Sequence, residues 1–336
     1  MTKIPEPAHT LAGLIDKAHE AKAENPRPHL GASQIGHPCR RYLWLSFRWA
    51  FRSRFPGRIL RLFRRGHHEE EWIVEDLKLA GVEITEKDPE TGRQYFFKDG
   101  HFGGSMDGII ESGVPEAPHK RHIFEAKTHS LKSFKDLTSK GVEKSKPVHY
   151  AQMQVYMEAT GIDRALYYAV CKNDDEIYTE RVKLKTTEAK KLNYKAQDII
   201  ASDRMPEPLS ADPTWFECKF CDAWDQCHGS HTTKEVNCRT CAHSTALRDS
   251  AWHCARWDSE IPAVEFQRAG CDDHVIHPDL VPWEMAGGDS LSAIYKHEGT
   301  EFRNGHGGLK SRDLLHPEKG ASDIVKAFDG RIVDAP

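Results

Sequence analysis

The stretch His122-Ile123-Phe124-Glu125-Ala126-Lys127, with Gly103-Gly104-Ser105-Met106-Asp107-Gly108 before it, decides how this chain is read. Phe102 to Ile110 and His122 to Lys127 carry the pattern of two strands, and Tyr95 to Phe97 with the turn Asp99-Gly100 leads into the first. All three are expected as antiparallel neighbours in one sheet. Glu125 and Lys127 are two apart on a strand, so they share a face. A hairpin pairing brings Asp107 to them. Two carboxylates at close range repel unless a cation separates them. Mg²⁺ or Mn²⁺, held by carboxylates and water, fits that place and supports phosphodiester hydrolysis. Lys127 would orient the attacking water or stabilise charge growing on phosphate. Taken alone, a solvated strand face with a cross-strand pair gives the same pattern.

Working outward, Gly66 to Ala80 reads as a helix, with Trp72, Ile73, Leu77 and Ala80 at helical spacing. It offers Glu70 as a further carboxylate, with His67, His68, Glu69 and Glu71 as adjacent alternatives. Tyr150 to Thr160 reads as another helix, closed by Gly161. Gln152 and Tyr156 lie four apart there and share a face, able to bind a phosphate or order an active-site side chain. His149 stands beside them. Leu11 to Ala23, Arg40 to Trp49 and Thr187 to Ser202 are further helices, and Ala165 to Cys171 and Glu176 to Leu184 further strands. No G-x-x-x-x-G-K-[ST] loop is present, so the chain shows no motor motif.

The order Gly66-x-x-x-Glu70, Gly104-x-x-Asp107, Glu125-Ala126-Lys127, Gln152-x-x-x-Tyr156 resembles the PD-(D/E)XK nuclease superfamily, in its RecB-like and phage-exonuclease branch. The resemblance spans about residues 33–227. It implies an α/β restriction-endonuclease-like core, a mixed sheet flanked by helices. It also implies metal binding by Glu70, Asp107 and Glu125, a catalytic role for Lys127, and placement of the substrate by Gln152 and Tyr156.

Met1 to Ala23 lacks an apolar stretch, so no secretory signal is expected, and the nine cysteines then need a reason other than disulfides. Cys218-x2-Cys221-x5-Cys227 offers three thiols, and Cys39 is the sole cysteine of the N-terminal part. Together they would form a four-thiolate site suited to either Zn²⁺ or a [4Fe–4S] cluster. The resemblance extends to an iron–sulfur subgroup that includes the AddB nuclease domain and CRISPR adaptation nucleases. There one cysteine precedes the nuclease motifs and three follow, which implies iron–sulfur here. Cys238-x2-Cys241-x12-Cys254-x16-Cys271 reads as a second four-thiolate site, with zinc expected and His243, His253 and His274 as alternative ligands. Cys171, in an apolar run, reads as a buried structural thiol.

The formal net charge of −4 gives no general support to nucleic-acid binding, but charge is unevenly placed. Nine arginines and no acidic residue fall between Arg40 and Arg65. Arg48, Arg52, Arg54, Arg58, Arg61, Arg64 and Arg65, interleaved with Trp44, Phe47, Trp49, Phe51, Phe55 and Phe63, suggest a DNA-contacting surface. A helix with an aromatic core face and a solvated basic face is the alternative.

The expected organisation is an N-terminal helical arm at 1–30, the nuclease core with its split cysteine set at 31–229, a zinc module at 230–284, and a hairpin with a polar tail at 285–336. The expected function is Mg²⁺- or Mn²⁺-dependent cleavage of DNA, single-stranded or at duplex ends. An exonuclease in phage or bacterial recombination, repair or replication fits best, with a separate helicase or recombination protein as partner. The alternatives are a DNA-binding accessory protein built on a nuclease scaffold, and a structure-specific endonuclease. No apolar run suits a membrane span, so a cytoplasmic protein, of the bacterial host if phage-encoded, is expected.

Overall fold

The computed structural model describes residues 10–22 and 25–315. In chain order the first elements are α1 (Leu11–Glu20), β1 (Leu30–Gly31), α2 (Arg40–Phe47), α3 (Gly57–Leu79), β2 (Glu83–Thr85), β3 (Phe96–Asp99), β4 (Phe102–Ser105) and β5 (Gly108–Ser112). There follow β6 (His122–His129), α4 (Leu131–Ser145), α5 (Pro147–Thr160), β7 (Arg164–Cys171), β8 (Ile177–Lys183) and α6 (Thr186–Ala201). The cysteine-rich part adds α7 (Phe216–Lys219), α8 (Trp224–His228), β9 (Ser244–Ala246), β10 (Trp252–Cys254), β11 (Ser259–Glu260) and α9 (Val264–Ala269). It closes with β12 (Glu284–Gly288), β13 (Ser292–His297), β14 (Thr300–Gly305) and α10 (Ser311–Leu314). The molecule is thus mixed α/β, with several sheets. Among the described residues no helix is long and apolar enough to cross a membrane. The end of the expected polar tail, 316–336, lies outside the described residues.

Two compact units emerge, interleaved in sequence. One comprises Met1–Pro26, Arg54–Phe97 and Gly104–Asn193; the other comprises Arg27–Ser53, Lys98–Gly103 and Tyr194–Pro336. The boundaries expected from the sequence were linear, whereas residues 31–229 are shared between both units. Linear reading has no access to long-range packing, and here the chain returns to each unit more than once.

The first unit is built on a five-stranded sheet of order β2-β5-β6-β7-β8. β5 and β6 are antiparallel, β6 and β7 parallel, and β7 and β8 antiparallel. A parallel neighbour needs a long crossover, and α4 with α5 supplies it. Ile73, Val74 and Leu77 of α3 pack on Phe124, Ala126, Leu166, Tyr168 and Val170, which lie on one face of the sheet. Glu125, Lys127 and His129 alternate with Phe124 and Ala126 and so take the other face. α5 ends on Gly161 in the left-handed region, at φ 70°.

Three expectations about elements change. The strand expected over Phe102 to Ile110 is broken at Met106-Asp107, and only its second half joins β6. The first half pairs parallel with β1, and β3 lies with it in that separate sheet. The break has a local cause: the Asp107 carboxylate accepts from the Ala126 amide at 2.9 Å. A side chain thus takes the place of a ladder carbonyl. The helix expected from Gly66 starts nine residues earlier, at Gly57, with Pro56 at its N-cap. Gly57 is required there, because a Cβ would lie 2.4 Å from the backbone of Asp16 in α1. Gly66, inside α3, faces open space, a cost of about 1 kcal/mol that a long helix absorbs.

In the second unit, Val275, Ile276, Trp283, Tyr295 and Phe302 form the core under the β12-β13-β14 sheet. The hairpin turn at Glu298-Gly299 lies between β13 and β14. A small β11-β10-β9 sheet carries Cys254.

Candidate metal and catalytic centre

Asp107, Glu125 and Lys127 meet at one end of the central strand pair of the first unit. Glu125 is fully buried and its carboxylate forms an ion pair with Lys127. The same ammonium lies 3.4 Å from Oδ2 of Asp107 and donates to the Ala126 carbonyl at 2.9 Å. Two carboxylates therefore converge on one cation supplied by the chain. Burial first, and then the nearby Asp107 charge, push the Glu125 carboxyl up to about 8, although Lys127 opposes this. For Lys127, burial works against the charge, but Asp107 and Glu125 outweigh it and hold the amine well above its usual range.

Glu70 belongs to the same electrostatic cluster. Partial burial and the Asp107 charge raise its carboxyl to about 7, and Lys127 pulls the other way. Glu69 is half-buried like Glu70, but the other neighbours differ. His67, His68 and Glu71 are exposed, and His68 and Glu71 approach each other at 3.4 Å on the outer face of α3. Glu70 lies three, four and seven residues before Ile73, Val74 and Leu77, so it shares the stripe that packs on the sheet.

Gln152 and Tyr156 are both turned to protein groups. Gln152, 5% exposed, donates from Nε2 to Oε2 of Glu125 at 3.0 Å. Tyr156, 1% exposed, donates its hydroxyl to the Ser105 carbonyl at 2.7 Å, two residues before Asp107. Burial raises the Tyr156 phenol further, and the Glu125 and Asp107 charges add to it. Both side chains are thus hydrogen-bonded to segments that carry the carboxylates.

One group here was not singled out by sequence. Tyr167 on β7 pairs in register with Glu125 and bridges two imidazoles: His129 Nε2 at 2.9 Å and His149 Nδ1 at 2.8 Å. Burial pushes His149 down to about 3 and His129 to about 4, with the Lys127 charge contributing to each. Both rings are therefore neutral at ordinary pH. In the sequence His149, next to the start of its helix, is a candidate to face the site, whereas Tyr167 lies within an apolar run.

The arginines separate into different environments. Arg48 is buried, 2% exposed, with its guanidinium 4.9 Å from the Trp44 ring centroid and 5.8 Å from that of Trp252. It is therefore a core residue of the second unit, which corrects the expectation that it faces DNA. The aromatic segment Trp44 to Trp49 is buried with it, because long apolar rings in a short helix leave no other face for the guanidinium. Arg52 pairs with Glu235 at 2.8 Å. Arg61 is half-buried and paired with Asp16. Arg54, Arg58, Arg64 and Arg65 are exposed.

All four thiols of the split set lie in the second unit. Cys39, Cys218, Cys221 and Cys227 line one small pocket, with His37 and His228. Cys39 caps α2, its sulfur accepting from the Tyr42 amide at 3.4 Å. Burial, reinforced by Cys227 and Cys39, raises the Cys221 thiol to about 11. Cys238, Cys241, Cys254 and Cys271 line a second small pocket. Burial raises Cys241 to about 12 and Cys238 to about 11. Among the described residues, no three His, Cys, Asp or Glu side chains stand ready-gathered around a single ion point. The donor types still suit distinct ions: soft sulfurs in the second unit, hard oxygens in the first. Cys171 is buried at the end of β7.

No family model matches the chain, and no curated protein matches it. Among solved structures, it is similar to SSO0001, with a TM-score of 0.38 and 16% identity over 66% of this chain and 98% of the other. It is also similar to an alkaline exonuclease, LHK-Exo, from Laribacter hongkongensis, with a TM-score of 0.35 and 15% identity over 55% of this chain and 91% of that one. The same exonuclease in complex with dAMP gives a TM-score of 0.33 at 15% identity, over 56% and 90% of the two chains. At these scores no common fold is established, and the chain's own side chains carry the functional reading.

Proposed function

We propose that this chain is a divalent-metal-dependent deoxyribonuclease of the PD-(D/E)XK type, acting through Asp107, Glu125, Glu70 and Lys127. One observation carries the reading: the buried Glu125 and the nearly buried Asp107 converge on the single ammonium of Lys127. A structural ion pair needs one carboxylate; a second, with Glu70 nearby, is excess negative charge that costs stability unless a cation is bound.

The oxygen donors of Asp107, Glu125 and Glu70 fit Mg²⁺ or Mn²⁺. When bound, that ion would supply Lewis acidity toward a phosphate oxygen and an activated water. The chain supplies the rest. Gln152 fixes the Glu125 carboxylate from α5, and Tyr156 fixes the segment leading to Asp107. Lys127, kept charged, donates toward oxygen atoms on which negative charge develops. Arg58, Arg64 and Arg65, on the same helix as Glu70, offer phosphate contacts to a DNA strand. An exonucleolytic mode follows from the motif order's resemblance to the RecB-like and phage-exonuclease branch. The same resemblance supports a [4Fe–4S] cluster on Cys39, Cys218, Cys221 and Cys227, which line one pocket.

Incubating end-labelled single- and double-stranded DNA with the full chain and Mg²⁺ or Mn²⁺ tests the proposal. Metal-dependent release of nucleotides is expected, falling by about a hundredfold or more in Asp107→Ala and Lys127→Ala. DNA binding without degradation by the wild type would overturn it in favour of an accessory protein. Cleavage of closed circles would replace the exonucleolytic mode with an endonucleolytic one.

A further inference from the structure

The second cysteine group is built into the second unit in a way that the nuclease reading does not use. Cys238 opens a short 3₁₀ turn capped by Asn237, and Cys241 ends it. Cys254 ends β10, opposite Ser244 of β9. Cys271 follows α9. Far apart in sequence, the four cysteines line the same pocket. Two further polar atoms at this cavity are buried without a hydrogen-bond partner among the described residues: Oγ of Ser244, which is 5% exposed, and Nε2 of His243. Buried polar atoms are rarely left so. A cysteine knuckle with two more thiols on one cavity is a zinc donor set.

Inside that knuckle stands Arg239, 1% exposed. No carboxylate is paired with it among the described residues. Its guanidinium donates instead to the Phe47 carbonyl at 2.9 Å, the Pro28 carbonyl at 2.8 Å and Oε1 of Gln267 at 2.9 Å. It stacks 3.7 Å from the centroid of the Trp49 ring. Phe47 is the last residue of α2, and Cys39 is that helix's N-cap. Arg239 therefore ties the knuckle to the helix that begins at Cys39.

We propose that Cys238, Cys241, Cys254 and Cys271 bind one Zn²⁺ as thiolates. Through Arg239, this site holds α2 where Cys39 can join Cys218, Cys221 and Cys227. Binding converts four thiols to thiolates, releasing their protons to solvent and leaving a net charge of −2 on the zinc and its ligands. Arg256 and Asp273, which also line the cavity, pair with each other at 3.1 Å and so add little net charge to it. The turn that carries Arg239 is then closed at both ends by a metal bond. The zinc site itself is independent of the nuclease proposal; only its effect on Cys39 touches the cluster reading.

The test uses the full chain. Elemental analysis of the wild type should give one zinc that Cys254→Ser/Cys271→Ser loses and Cys39→Ser keeps. Cys271→His should keep it, because imidazole can replace one thiolate. After chelation and cobalt loading, Cys271→His should also show a weaker sulfur-to-cobalt band than the wild type. Amide hydrogen exchange reads the coupling. In Arg239→Met, with zinc retained, exchange in α2 should rise about tenfold or more while β6 and β7 stay unchanged. Zinc-stripped wild type should show the same rise, and it decides the matter if Arg239→Met loosens the whole chain. Zinc undiminished in the double cysteine variant overturns the site. Unchanged α2 exchange in the zinc-stripped protein overturns the coupling, whatever the iron content or nuclease activity.

Discussion

Nε2 of Gln152 donates to Oε2 of Glu125 across 3.0 Å, so the fully buried carboxylate on β6 is held in place from α5. Removing the amide leaves a buried acceptor unpaired, which costs about 1–3 kcal/mol. Gln152→Ala should lower the thermal midpoint by several degrees and reduce nuclease turnover, with little change in KM for DNA. Steady-state kinetics on a labelled strand separate the two. A rise in KM alone would mean that Gln152 touches substrate instead.

Tyr156 should behave in a related way. Tyr156→Phe keeps the ring and loses the hydrogen bond to the Ser105 carbonyl. The expected loss is about 1 kcal/mol of stability, read from urea unfolding. Turnover should fall because Asp107 is two residues away. Turnover unchanged at equal stability would separate this bond from the placement of Asp107.

Stability without divalent ions should decline as pH rises. The folded chain raises Glu70 to about 7 and Glu125 to about 8, so it binds more protons than the unfolded chain from the ordinary carboxyl range up to those values. The fully protonated advantage is present at low pH and is lost through that window. Mn²⁺ binds the deprotonated form, so its stabilising effect should grow from roughly pH 5 to pH 9. Thermal midpoints with and without Mn²⁺ measure this. Glu125→Gln should flatten the trend, and an equal Mn²⁺ effect at both ends of the range would contradict it.

Reversing charge at Arg58 and Arg65 should weaken DNA binding and reduce its salt dependence by up to about two ions released, one for each lost phosphate contact. Fluorescence anisotropy across a salt series reads both. Arg48→Met, in contrast, should lower stability while leaving that salt slope in place, since Arg48 is enclosed by Trp44 and Trp252.

The anaerobically purified protein should be brown, with absorption near ~400 nm from thiolate-bound iron–sulfur. Cys39→Ser should lose most of the iron and colour. A colourless wild type carrying zinc at these thiols would place zinc there instead.

Parts of this centre were legible in the chain itself. Alternation on one strand puts Glu125 and Lys127 on a common face, and that is local geometry. The helical stripe through Ile73, Val74 and Leu77 also points inward at Glu70, a signal stronger than the crowd of charges from His67 to Glu71 suggests. Trp72, which the spacing places on that stripe, is 57% exposed. The helix α4 was not legible, since its weak apolar pattern, Phe134, Leu137 and Val142, is interrupted at Gly141.

Sequence alone determined which residue types could meet: hard carboxylates around one lysine, and two sets of soft thiols. Tertiary structure alone decided what each is held by. Gln152 and Tyr156 turned to Glu125 and the Ser105 carbonyl because α5 packs beside β6 as part of the crossover that parallel strands require. Arg48 and Arg239 left the solvent because the rings around them are buried in the second unit. A guanidinium reads as a surface charge from its neighbours in sequence, and its burial depends on carbonyls and rings that arrive from distant parts of the chain.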